Sequence, residues 1–258
     1  MDLGIDGKVA IVTGGSQGIG RAIAMQLAAE GARTVIAART AANLEETAKA
    51  TRDVTRGEIL PIPCDVSELA AVQHLVAETV ATFGTVDILI NNAAGSGSGG
   101  LAELSEHDWL RHLDVKLLGY VRCAREALPH MKRNNWGRIV NIGGEAARGN
   151  GGYASGAVNS AVVNFTKKLS DEVARYGITV NAIHPGSTRT QRREHAAARK
   201  GISLDELVKE QIQRIPIGRL IEPEDVAHTV LYLVSARAGA ITGQVLGVDG
   251  GSTRGIYY

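Results

Sequence analysis

The segment Thr13-Gly14-Gly15-Ser16-Gln17-Gly18-Ile19-Gly20 has the residue types and spacing to hold a pyrophosphate. Glycines at 14, 18 and 20 let the main chain come close to phosphate oxygens. A helix starting at Gly18 aims free N–H groups and the positive end of its dipole at the same anion. At the end of the next expected strand a carboxylate would bind ribose hydroxyls and repel a 2′-phosphate. Here Ala38 removes that repulsion and Arg39 offers a guanidinium, which favours NADP(H) over NAD(H). The plainer alternative is that Arg39 is a solvated surface cation. Farther along stand an ammonium (Lys116), a phenol (Tyr153), a hydroxyl (Ser155) and an amide (Asn159). A phenol beside an ammonium has a lowered pKa, which suits proton donation near neutral pH.

The elements that must position these groups follow from periodicity. Short β-branched runs alternate with helical stretches, the pattern of a parallel sheet wound with crossover helices. Strands are expected over 8–13, 34–38, 58–62, 86–91, 138–142, 178–183 and 244–248. Helices are expected over 18–30, 41–54, 68–83, 106–132 with an interruption near Gly119, and 155–176. Ile19, Ile23 and Leu27 share one face of the first helix, and Gly31 is placed to end it. The expected fold is α/β, a Rossmann-type doubly wound parallel sheet of about seven strands with helices on both faces. Glycine-rich loops at 95–100 and 143–152 follow strands four and five, where the cleft of such a sheet opens.

Bulk composition narrows the setting. In 258 residues, 44% are hydrophobic and 21% charged, which fits a chain with a substantial core and argues against disorder. A net charge of +1 gives no global pull toward nucleic acid or an anionic membrane. Cys64 and Cys123 read as a reduced pair, the start lacks a signal peptide, and no apolar run nears the roughly 20 residues that span a bilayer. These features predict a cytoplasmic protein with no membrane or nucleic-acid partner and no metal site. With no linker or repeat, residues 1–258 read as one domain, with a substrate lid at about 187–215.

Motifs in order along the chain resemble the short-chain dehydrogenase/reductase family. The glycine-rich turn is followed by Cys64-Asp65-Val66, by Asn91-Asn92-Ala93-Ala94-Gly95, and by Asn181-Ala182-Ile183-His184-Pro185-Gly186 with Thr188 and Thr190 beyond it. Ile217-Gly218-Arg219, Glu222 to Ala227 and Thr242 to Gly251 resemble the family's C-terminal region. The resemblance implies cofactor contacts from Gly14, Ser16, Gln17, Gly18, Ile19, Gly20, Arg39, Asp65, Val66, Asn91, Ala93, Pro185, Gly186, Thr188 and Thr190. It also implies a homotetramer.

The proton-handling positions depart from the family pattern. No Tyr-x-x-x-Lys can be read: Ser155 stands at the tyrosine position, Asn159 at the lysine, Gly144 at the serine and Lys116 at the helix asparagine. The substitutions suggest a rearranged relay in which Tyr153 is the acid, Lys116 replaces the missing cation and Ser155 polarises a carbonyl. Tyr153 as a loop aromatic and Lys116 as a solvated cation fit the sequence equally well. The expected function is an NADP(H)-dependent oxidoreductase acting on a carbonyl, alcohol or activated double bond. The alternatives are an NADP-binding regulator or subunit without turnover, and a lyase or isomerase using Lys116 or Glu145. His184 reads as a packed strand-end histidine. Arg189, Arg192, Arg193, Arg199 and Lys200 make the lid basic, which suits a small anionic substrate or a solvated helix face.

Overall fold

Strands that carry apolar residues on both faces need a layer of helices on each side, and this chain supplies them. In a computed structural model, which describes residues 2–55, 57–95, 99–148 and 152–253, seven parallel strands lie in the order β3-β2-β1-β4-β5-β6-β7. They are β1 Val9–Thr13, β2 Arg33–Ala38, β3 Ile59–Pro63, β4 Ile88–Asn91, β5 Gly137–Ile142, β6 Ile178–Pro185 and β7 Val245–Val248. The order reverses between β1 and β4, and a cleft opens there at the strands' carboxyl ends.

Alternate residues of each strand feed opposite faces. Ala10, Val12, Ile36, Ile90, Val140 and Ile183 pack on one side with α1 (Gly18–Ala29) and α9 (Pro223–Val234). Ile11, Val35, Leu89, Ile139 and Val180 pack on the other, with α3 (Leu69–Phe83), α5 (Gly119–Asn134) and α6 (Tyr153–Val173). The remaining helices are α2 (Ala41–Thr55), α4 (Glu106–Leu113), α7 (Gln191–Arg199) and α8 (Leu204–Ile212).

The expected strands are all present, with ends displaced by one or two residues. The sequence reading did not assign α7, α8 or α9. The largest omission is α9, whose Val226, Ala227, Val230, Leu231 and Val234 are buried at helical spacing. Pro223 in its first turn and the reciprocal bonds of Glu222 and Asp225 mark its start. The interruption expected near Gly119 is a π-helical turn, Asp114–Leu118, between α4 and α5. The extra residue in that turn shifts the helix register and sets Lys116 on the buried side. Gly119 then passes so close to the chain after β3 that a Cβ would stand 2.9 Å from Val66 Cγ2.

A row of buried amides ties the layers together beneath the cleft. Asn91 Nδ2 donates to Asn141 Oδ1 (2.9 Å), and Asn141 Nδ2 donates to Thr166 Oγ1 on α6 (2.9 Å). The Tyr120 hydroxyl of α5 donates to the Ile142 carbonyl (2.9 Å). Asn141→Ala leaves both the Asn91 and Thr166 groups short of a partner in a site closed to water. We expect a loss of about 2–4 kcal/mol in urea unfolding, and a loss below ~1 kcal/mol would refute the linking role of this row.

Candidate functional site

The cleft begins where Thr13 ends β1. Its hydroxyl donates to the Ile90 carbonyl (3.2 Å) and accepts from the Asn92 and Ala93 N–H groups (3.0 and 3.2 Å). Asn92 Nδ2 donates back to the Thr13 and Gly14 carbonyls (3.0 and 3.1 Å). The turn is thereby held against β4 at the point where the strand order reverses. Gly14 takes φ 64°, and a Cβ on Gly20 would run into the Gly14 carbonyl and stand 2.5 Å from Asn92 Nδ2. Only glycine lets α1 start directly beneath the turn. The Gly18 N–H points to Gln191 Oε1 (3.2 Å), so the chain entering α7 crosses the turn. Thr190 lies over the same glycine, its Cγ2 3.3 Å from where a Gly18 Cβ would be.

A cavity of about 460 Å3 lies beside the turn, bounded by Gly14, Ser16, Arg39, Asp65, Ala93 and Arg111 among others. Burial pushes the Asp65 carboxyl upward, but hydrogen bonds from Ser67 and the nearby Arg39 and Arg111 guanidiniums outweigh it and hold the group below the usual carboxylate range. Asp65 is therefore ionised and able to accept. Gln17 and Val66 also face this cavity, whereas Ile19 packs partly into the core below it.

Arg111 was not foreseen as a wall of the cavity. The available signal was its position four residues before Val115, on the same face of the helical run. Asn91 departs from expectation in the opposite sense. It is fully buried and bonds to Asn141, so its side chain spaces strands while Asn92 and Ala93 form the wall.

At the far end of the cleft, β6 delivers Pro185 and Gly186. A Cβ on Gly186 would meet Asp249 Cα at 2.7 Å, so this crossing also requires glycine. Thr188 is buried, donates to the Gly186 carbonyl (2.9 Å) and bridges to Ile221. Two of the basic residues after Gly186 are engaged with protein. Arg189 pairs with Glu222 (3.2 Å) and Asp205 (3.7 Å), and Arg193 donates to Gln211 (2.7 Å).

The candidate catalytic residues separate into two groups. Lys116 is only 7% exposed, and its ammonium donates to the Gly143 carbonyl (3.0 Å) just past β5. Burial lowers its pKa to about 8. The solvated-cation alternative is thereby corrected: the side chain lies inside. Asn159, 4% exposed, comes from α6 to the adjoining Gly144, where a Cβ would stand 2.8 Å from its Nδ2. His184, 2% exposed, packs its ring on Gly143, and neither ring nitrogen has a protein partner among the described residues. Burial, with the charges of Arg148 and Lys116, lowers its pKa to about 4, so the imidazole is neutral.

Tyr153 stands apart from this cluster. It opens α6, is 56% exposed, and makes no hydrogen bond among the described residues, so the expected phenol–ammonium pair is not formed. Ser155 is half-buried on the face of α6 that also carries Asn159, one turn further on. Glu145 accepts from the Ser252 hydroxyl (2.9 Å). Of the two glycine-rich loops, residues 96–98 and 149–151 lie outside the described residues.

With the geometry in place, comparison with known proteins places the chain. A family model described as Enoyl-(Acyl carrier protein) reductase matches residues 14–253. The short-chain reductase protein NovJ of Streptomyces niveus is 38% identical over 245 residues, 95% of this chain and 93% of its own. A putative ketoacyl reductase of Streptomyces coelicolor is 40% identical over 256 residues, 95% of this chain and 97% of its own. Among solved structures, a tryptophan variant of actinorhodin polyketide ketoreductase with NADPH matches with TM-score 0.89 and 38% identity, covering 96% of this chain and 98% of that one. The L-sorbose reductase of Gluconobacter frateurii, complexed with NADPH and L-sorbose, matches with TM-score 0.93 and 31% identity over 99% of this chain and all of that one. The chain belongs to the short-chain dehydrogenase/reductase family.

Proposed function

We propose that this protein is an NADP(H)-dependent oxidoreductase that reduces a ketone, with Lys116 as the proton donor. The observation that carries the reading is a pair of features at the carboxyl edge of one sheet. In the first, Arg39, with no carboxylate before it, borders an adenosine-sized cavity; in the second, a buried ammonium meets the carboxyl edge of β5. Relatives named for ketoacyl reduction, and solved neighbours complexed with NADPH, support it.

The residues fit such a cofactor. The turn is shaped so that a Cβ at Gly14 or Gly20 would strike Asn92, and bare glycine there lets a diphosphate approach the main chain at the start of α1. Gly14, Ser16, Gln17, Gly18, Ile19 and Gly20 would hold that diphosphate. Asp65 and Val66 would take the adenine, Arg39 the 2′-phosphate, and Ala93, Pro185, Gly186, Thr188 and Thr190 the nicotinamide end. When bound, the reduced nicotinamide supplies the hydride.

The chain must then stabilise an oxyanion and deliver a proton. Lys116 is suited to both: at neutral pH it is largely protonated, and a pKa near 8 makes proton release far easier than from an ordinary lysine. After transfer the neutral amine keeps its bond to the Gly143 carbonyl and regains a proton from solvent. Tyr153, exposed at the start of α6, takes no part in the proton transfer, and Ser155 adds a half-buried hydroxyl on the face of α6 that carries Asn159. Residues 187–215 form the lid of a single domain. We further propose a cytoplasmic homotetramer.

Cofactor binding without turnover is a second reading, and the exposure of Tyr153 favours it. Loss of NADPH absorbance over a panel of ketones separates the two. Binding without oxidation across the panel would support the second.

Arg39→Ala is expected to weaken NADPH binding by about 10–100-fold and leave NADH binding unchanged, as read by fluorescence titration. Equal effects on both cofactors would remove Arg39 from phosphate recognition. Reduction needs the protonated ammonium, so kcat should be level below the Lys116 pKa of about 8 and fall with rising pH above it. The titratable groups whose charge couples to it, His112 and His184, set no competing limb there, since both have lowered pKa values. Lys116→Met should lower kcat by roughly 10²–10⁴-fold and abolish that limb. Full turnover in this variant would refute the assignment.

A further inference from the structure

Gly144 is not a glycine for conformational reasons. Its φ of 179° is extended backbone that any residue adopts. Space is the constraint: a Cβ would stand 2.8 Å from Asn159 Nδ2, closer than such contacts allow. At Gly143 a Cβ would stand 2.5 and 2.7 Å from His184 Cδ2 and Nε2. The two glycines thus open a gap at the carboxyl edge of β5. An amide fills it at one residue, and an imidazole and an ammonium converge on the other.

We propose that Asn159 is the carbonyl-polarising residue, and that Gly144 is the positioning residue that admits its amide to the site. The assignment rests on the ketone reductase reading above. Asn159 Nδ2 lies against Gly144 while the Lys116 ammonium holds the Gly143 carbonyl, so a neutral donor and a cation meet the main chain at consecutive residues. Asn159 is almost wholly buried, and its Oδ1 has no protein partner among the described residues. Asn159 Nδ2 likewise makes no hydrogen bond among the described residues, so its N–H groups are not consumed by the protein, and in a residue only 4% exposed a donor to a developing oxyanion is most effective.

Hydride adds to the carbonyl carbon and the C=O π pair moves onto oxygen. The Asn159 N–H hydrogen-bonds that oxygen and keeps its proton, while the Lys116 ammonium transfers one, leaving an alcohol and a neutral amine.

The experiment combines Asn159→Ala, Gly144→Ala and the double variant in the full-length protein. NADPH affinity is read by fluorescence, turnover by NADPH absorbance, and urea midpoints are taken without cofactor. Removing the amide is expected to lower kcat by about 10²–10³-fold with NADPH affinity within about 3-fold of wild type and the alkaline limb retained. Gly144→Ala should lower kcat similarly by displacing the amide, and the double variant should be no slower than the slower single one. The added methyl should lower the urea midpoint when Asn159 is present and not when residue 159 is alanine. A tenfold loss of NADPH affinity with kcat unchanged would make Asn159 a cofactor ligand and overturn the proposal, as would multiplicative losses in kcat. If Gly144→Ala fails to fold, Asn159→Asp, which keeps the size and removes the donor, decides alone: unchanged kcat overturns the assignment. A wild-type protein that binds NADPH and oxidises it with no ketone overturns the reductase reading itself, an outcome distinct from the variant results.

Discussion

The Thr13 hydroxyl is the small contact on which the cleft depends. β1 and β4 are neighbours in the sheet, but the chain leaves them in opposite directions, so their ends have no common crossover to hold them together. One hydroxyl donating to Ile90 and accepting two N–H groups closes that gap, and Asn92 completes the clasp from the other side. The glycine turn is then fixed relative to β4, and through the Asn91–Asn141–Thr166 row relative to β5 and α6. The two ends of the cleft therefore hold a constant separation, as hydride transfer between two bound molecules requires.

Charge burial is the second organising constraint. Lys116 and His184 both lie inside, where burial disfavours the charged form of each, and the lysine's charge further disfavours protonation of the histidine. At neutral pH the result is one cation and one neutral ring. Protonating His184 as well would place two positive charges near Gly143, with Arg148 adding a third nearby. The arrangement keeps a single mobile proton in the region, on the lysine.

Much of this architecture was legible in the sequence because it rests on local signals. The β-branched runs at 9–13 and 88–91, the glycine spacing at 14–20 and the helix break before Gly119 each have a local cause, and each is present. Tertiary effects were not legible. Asn91 sits in a motif that suggests a ligand contact, yet the register of β4 against β5 turns its amide to Asn141. The sequence leaves Lys116 open between a cleft cation and a solvated one, since the π-helical turn decides which face it joins. The pairing of Arg189 with Glu222 spans 33 positions and follows only from where α9 docks. α9 itself did carry readable signals, Pro223 and an apolar stripe.

The absence of the family's proton-handling residues must be weighed against what stands in their place. Residues lost without consequence would be expected to drift toward types that cost the fold little. The replacements here are not of that kind. A lysine held inside with its pKa lowered to about 8 is a standing penalty on the folded state, because the unfolded chain binds that proton more tightly. The penalty is full below pH 8 and is relieved only as pH rises toward the value of a free lysine. Nor are the substitutions independent, since the Asn159 amide occupies the space that any side chain at 144 would need. A destabilising cation and an amide fitted to a glycine, both at the carboxyl edge of one strand, form a matched set, and such a set is what a site retained for chemistry would maintain.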